Sequence, residues 1–82
     1  MSIKVCFFGA LADHLQKNEI SIDCQEPLSI AELYSKVFSD SPEFGKHWQH
    51  LLLYAKNCEH VSRDTFVQSG DEVAFMPPMA GG

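Results

Sequence analysis

Ser29-Ile30-Ala31-Glu32 opens the one stretch of this chain with a sustained helical period. The serine hydroxyl can accept from the amide three residues on, while the glutamate reaches back to the serine N–H, which makes a capping box. Ile30, Leu33, Tyr34 and Val37 then recur at i, i+3, i+4 and i+7, and Ser39-Asp40-Ser41-Pro42 ends the pattern. A helix with a single apolar stripe must lay that stripe on another element.

The flanking sequence supplies sheet. Ile3, Val5 and Phe7 alternate with Lys4, Cys6 and Phe8, a period-two pattern whose first set faces a core. Gly9 breaks this strand, and Leu11 and Leu15 allow a short helix or turn within 10–17. Glu19 to Cys24 alternates again, giving a second strand antiparallel to the first. Beyond the helix, residues 43–50 read as irregular or helical by turns, and Leu51 to Lys56 as a buried strand. Asn57-Cys58 reads as a turn, Val61 as the start of an edge segment, and Phe66-Val67 as core contacts. Ser69-Gly70-Asp71 turns the chain into a last strand over Glu72 to Met76. Strands on both sides of one main helix predict an α+β domain with a mixed, mostly antiparallel sheet of four to five strands. This is a β-grasp, ubiquitin-like arrangement over residues 1–76, with the last strand central and parallel to the first.

Pro77-Pro78 must leave that sheet, because proline offers no N–H to a ladder and holds φ near one value. Residues 77–82 are therefore expected to project as a tail of Pro77, Pro78, Met79, Ala80, Gly81 and Gly82. Six extended residues reach roughly 20 Å, enough to place a C-terminal carboxylate inside another protein. Glycine adds slimness, since without a Cβ it passes a narrow channel and lets a partner's backbone come close. A terminal Gly-Gly alone is weak evidence, and the preceding strand and Pro-Pro pair give it meaning.

Charge narrows the partners. The net charge of −5, without a Lys/Arg cluster, argues against nucleic acid and against an anionic membrane surface. No segment approaches the roughly 20 apolar residues of a membrane span. Ala10-Leu11-Ala12 after the apolar run from Val5 imitates a signal-peptidase site, but one lysine makes a poor positive region and cleavage would remove an obvious strand. Cys6, Cys24 and Cys58 are odd in number and lack C-x-x-C spacing, so neither a disulfide framework nor a zinc site is indicated, and a cytoplasmic setting is expected.

With strand, Pro-Pro and Gly-Gly in place, the chain resembles the molybdopterin synthase small-subunit family of sulfur carriers, which also includes the thiazole-synthesis carrier. The resemblance spans the whole length. It is carried by Ser69-Gly70-Asp71-Glu72-Val73-Ala74-Phe75-Met76-Pro77-Pro78-Met79-Ala80-Gly81-Gly82 and by the opening Ile3-Lys4-Val5-Cys6-Phe7-Phe8-Gly9. The Pro-Pro pair favours the molybdopterin branch. Two positions depart from the family pattern: Met76, where an aromatic is common, and Ala12, where an arginine is common. The resemblance implies that a partner enzyme uses ATP to adenylate the Gly82 carboxylate, and that a sulfur donor protein then leaves a thiocarboxylate there. It further implies a large subunit that receives the tail and holds cyclic pyranopterin monophosphate, in a heterotetramer of two small and two large subunits. Phe8, Phe75 and Met76 are the expected partner contacts, and the chain itself is expected to bind no cofactor and no metal.

Other constellations carry less. No Ser/His/Asp grouping, phosphate loop or carboxylate pair stands out, so the chain is read as a carried substrate and not an enzyme by itself. His47 and His50 have H-x-x-H spacing beside Trp48, but a third ligand is not evident and surface histidines explain the pattern. Alternation sets Phe7 and Phe8 on opposite faces, leaving Phe8 between second-face packing and partner contact. Asp64, Asp71 and Glu72 read as a solvated edge that could meet basic residues of the adenylating enzyme. The competing functions are thiazole sulfur carriage, a ubiquitin-like modifier joined to target lysines, and an interaction domain with an inert tail.

Overall fold

A computed structural model describes residues 2–78 of the chain. In order it runs β1 (Ser2–Phe7), α1 (Gly9–Leu15), β2 (Glu19–Asp23), β3 (Leu28–Ser29), α2 (Ile30–Val37), α3 (Pro42–Trp48), β4 (Leu53–Lys56), β5 (Glu59–Val61), β6 (Phe66–Val67) and β7 (Glu72–Met76). Five strands form one sheet in the order β2-β1-β7-β4-β5, and β3 and β6 form a separate two-stranded ladder. β7 runs parallel to β1 and antiparallel to β4, so the last strand is central, as the sequence predicts. The architecture is the expected α+β, ubiquitin-like β-grasp.

The capping box forms in full. Glu32 N–H donates to Ser29 Oγ at 3.1 Å, and Ser29 N–H donates to Glu32 Oε1 at 2.9 Å. These bonds satisfy amide donors that a helix start otherwise leaves open. The stripe of α2 then buries Ile30, Leu33 and Tyr34 in one cluster with Ile3, Val5 and Phe7 of β1 and Val73 and Phe75 of β7. The β1–β7 register pairs Val5 with Val73 and Phe7 with Phe75, so alternation on both strands points the same set inward.

Among the described residues, the short helices α1 and α3 flank α2 and help it close the core. α1 adds Leu11, which is fully buried, and α3 adds Trp48. Pro42 at the first turn of α3 suits a helix start, where its missing N–H costs nothing. Gly45 explains why α3 can sit so close to α2: a Cβ there would lie 2.8 Å from Phe38 Cβ, and the Gly45 carbonyl accepts from the Tyr34 hydroxyl. Burial pushes the Tyr34 hydroxyl up to about 12, which keeps it a donor.

Several local readings are corrected. Leu51 stays in a turn, its N–H donating to the Trp48 carbonyl at 2.9 Å, and the strand begins only at Leu53. Leu51 and Leu53 are both exposed, whereas Leu52 and Tyr54 are buried. Val61 ends β5 and does not begin it, because Asn57 and Cys58, at φ 50° and 74°, make a two-residue turn that starts the returning strand at once. Phe66 is exposed: its ladder pairs Val67 with Leu28 and Phe66 with Ser29, and alternation sends only Val67 into the core.

Candidate functional site

The end of β7 is held from both sides, by β1 through Phe7–Phe75 and by β4 through Leu53–Met76. Phe75 is fully buried, with ring centroids 5.3 Å from Tyr54, 5.6 Å from Tyr34 and 5.9 Å from Phe7. This corrects its expected role as a partner contact. Inward alternation of the central strand makes it the support beneath the exit, not a surface anchor.

Met76, half-buried, turns to the opposite face, where it pairs with exposed Leu53. Phe8 lies one step beyond Phe7 in extended backbone and is 50% exposed. Continuing the parallel register by that step brings Phe8, Met76 and Leu53 into one apolar row across the open face, with Met76 at its middle. Of the expected contacts, Phe8 and Met76 therefore share a surface, and Leu53 joins them unforeseen. Its signal was present in the alternation with buried Tyr54.

The strand stops at Met76, and Pro77 and Pro78 follow outside any ladder. Pro77 rests on Gly9, the first residue of α1. Gly9 has φ +57°, and a Cβ there would approach Pro77 Cγ to 3.1 Å. Both the backbone conformation and the contact favour glycine. Gly9→Ala is expected to cost about 1–2 kcal/mol in stability, measured by urea unfolding, and to shift the amide resonances on either side of Pro77. Met79, Ala80, Gly81 and Gly82 lie outside the described residues.

A hydrogen-bonded clamp fixes the other end of β7. The Asp71 carboxylate accepts from Gln68 N–H at 2.8 Å and from Asn57 Nδ2 at 3.1 Å, and Asn57 Oδ1 accepts from Glu72 N–H at 2.9 Å. The Gln68 amide, then the Asn57 amide and nearby Lys56, lower the Asp71 carboxyl below its usual value against the opposing effect of burial. A depressed folded value means that this contribution is complete above the unfolded carboxylate pKa and is lost as pH falls through the folded one. Acid titration of stability should show a loss beginning near about pH 4, and Asp71→Asn should flatten that part of the curve. An unchanged profile in the variant would remove Asp71 from the clamp.

Among the described residues, the open face holds no activated nucleophile. Burial, followed by the hydrogen bond to Glu72, raises the Cys6 thiol, and Sγ donates to Glu72 Oε2 at 3.4 Å. A thiol held in this way is a poor nucleophile. Lys4 pairs with Glu19 at 3.6 Å on the same face. Among the described residues, no group of three or more His, Cys, Asp or Glu is placed to hold a metal ion, and no helix is long and apolar enough to cross a membrane.

The model of the ThiS family matches residues 5–82. Among solved structures, SAMP1 from Haloferax volcanii is similar at a TM-score of 0.81 and 18% identity, covering 100% of both chains. The putative molybdopterin converting factor, subunit 1, from Pyrococcus furiosus is similar at 0.74 and 19% identity, over 96% of this chain and 99% of that one. A chain from the complex of subunits 1 and 2 of molybdopterin-converting factor from Helicobacter pylori 26695 is similar at 0.67 and 23% identity, covering 100% of both. At these identities the three structures speak for the fold.

Proposed function

This chain belongs to the ThiS family, and on that footing we propose that it is the sulfur-carrier subunit of a molybdopterin synthase. The observation that carries the reading is the exit of the tail: a central strand held by neighbours on both sides, ended by Pro77-Pro78, and seated on Gly9. Such a base fixes where Pro77 and Pro78 leave the sheet, which lowers the ordering cost of inserting a tail into a partner.

In this reading the chemistry is at Gly82. A carboxylate is ionised at neutral pH and resists attack by a sulfur nucleophile. A partner enzyme therefore joins it to the AMP portion of ATP, with release of diphosphate. Sulfide-level sulfur released by a sulfur donor protein then displaces AMP, leaving a thiocarboxylate. The tail enters the large subunit, where the thiocarboxylate sulfur bonds to a carbon of cyclic pyranopterin monophosphate as an oxygen substituent leaves; water then cleaves the acyl–sulfur bond, which returns the Gly82 carboxylate and leaves the sulfur on the pterin. A dithiolene holds two sulfurs, so two charged carriers serve each product, which suits two small and two large subunits in a cytoplasmic complex. The likeness to the Helicobacter pylori protein, seen in complex with its subunit 2, supports this partner. The row of Phe8, Met76 and Leu53 gives that partner an apolar landing beside the tail.

Likeness to SAMP1, a small archaeal modifier protein, favours a second reading, a ubiquitin-like modifier whose Gly82 is joined to lysines of other proteins. Thiazole sulfur carriage uses the same activation and differs in the acceptor. Intact-mass analysis separates the carrier readings from the modifier, and the pterin reaction separates the two carriers. With ATP, an adenylating enzyme and a sulfur donor, the carrier readings predict replacement of one C-terminal oxygen by sulfur. Conjugates to lysine that depend on Gly82, without product in the pterin reaction, would replace them with the modifier reading.

A further inference from the structure

Arg63 is the only arginine in a chain of net charge −5, and among the described residues it forms no ion pair. Its Nε is buried without a hydrogen-bond partner. Tyr54 is 4% exposed, and its hydroxyl is likewise buried without a partner. Both residues border one cleft of about 590 Å³ between β5 and the segment after α3. Gln49, His50, His60 and Ser62 also line it, and none of its lining residues is Asp or Glu.

From these donors we propose that the cleft binds a phosphate-type oxyanion, free or as the terminal group of a small molecule. A buried donor left unmatched is costly, whereas an anionic oxygen can meet several donors at once through strong, charge-assisted bonds. The guanidinium presents a rigid fork, and the hydroxyl, imidazole, amide and Ser62 side chains can approach from other directions. A tetrahedral anion accepts over such a spread of angles better than a planar carboxylate does. Burial raises the Tyr54 hydroxyl while Arg63 acts in the opposite sense, so the hydroxyl stays protonated within reach of the guanidinium's field. The backbone around Arg63 is also fixed: its carbonyl accepts from Ala31 N–H at 3.1 Å, and the Ser62 carbonyl accepts from Thr65 N–H at 3.1 Å. The cleft meets the apolar row at the tail's root only through Leu53, and the inference stands independently of sulfur carriage.

The test is titration of the isotopically labelled full chain with inorganic phosphate at constant ionic strength, followed by amide resonances. Saturable shifts centred on residues 60–63 are expected, with chloride giving none. Arg63→Gln should weaken binding by about tenfold or more, and Tyr54→Phe by a smaller factor. Should Arg63→Gln fail to fold, Arg63→Lys carries the test, since it keeps the charge and loses the Nε donor; it too should bind more weakly. Shifts no larger than those with chloride, or affinity unchanged in a folded Arg63 variant, would overturn the site and leave water as the partner of both buried groups. A parallel titration with phenyl phosphate separates the sources: tighter binding than inorganic phosphate assigns the site to a phosphorylated small molecule, and equal binding to the free anion.

Discussion

Phe75→Ala should lower the free energy of unfolding by about 3–5 kcal/mol, the usual cost of removing a fully buried aromatic side chain. The ring lies on the central strand among Phe7, Tyr34, Phe38 and Tyr54, with centroid distances between 5.3 and 6.4 Å. Those neighbours come from β1, β4 and α2 with its C-cap, so no single element can move to refill the space. A domain this small has a total stability of only about 5–15 kcal/mol, and the variant should be partly unfolded at modest urea. Phe75→Leu, which keeps most of the volume, should remain folded with a smaller loss. A midpoint for Phe75→Ala close to that of the unaltered chain would mean that the side chain is not in the core as described.

Deletion of Gly82 should have the opposite profile. Sulfur transfer should fall to background, because the carboxylate that accepts AMP and then sulfur would be displaced from its position by one residue. The urea midpoint should stay where it is, since the central strand β7 ends at Met76, six residues before Gly82. Comparing the two variants separates the scaffold from the cargo site. Phe75→Ala damages stability first and activity through it, whereas loss of Gly82 removes activity from an intact fold. A truncated chain that still delivers sulfur would place the chemistry elsewhere.

The parts of the fold legible in sequence are those long enough to show a period. The α2 stripe, the β1 alternation and the β7 alternation each cover enough residues for one face to be distinguished from the other. The two-residue strands β3 and β6 have no period to read, and so Phe66 could not be separated from Val67. Gly45 lowers helix propensity in α3, and the reason it belongs there is tertiary: the close approach of Phe38 and the bond from Tyr34. Phe75 was legible in principle, because it shares the phase of Val73 on a strand read as central. Its nearness to the tail is what makes it resemble a partner contact in the sequence. The Gly9–Pro77 contact joins the two ends of the sequence and leaves no local pattern. Of the candidate site, Phe8 and Met76 were named from sequence, Leu53 and Gly9 came from the structure, and Met79 to Gly82 rest on the sequence alone.

The central claim is that Gly82 carries the sulfur that becomes the dithiolene of molybdopterin. A single-turnover reaction tests it most directly: the chain with thiocarboxylate at Gly82, a competent large subunit and cyclic pyranopterin monophosphate, with the dithiolene-bearing pterin quantified against the unmodified carboxylate form. Product that appears only with the thiocarboxylate, at two carriers consumed per pterin, is the predicted result. Absence of product from the thiocarboxylate form, with the same large subunit active on another carrier, would contradict the claim.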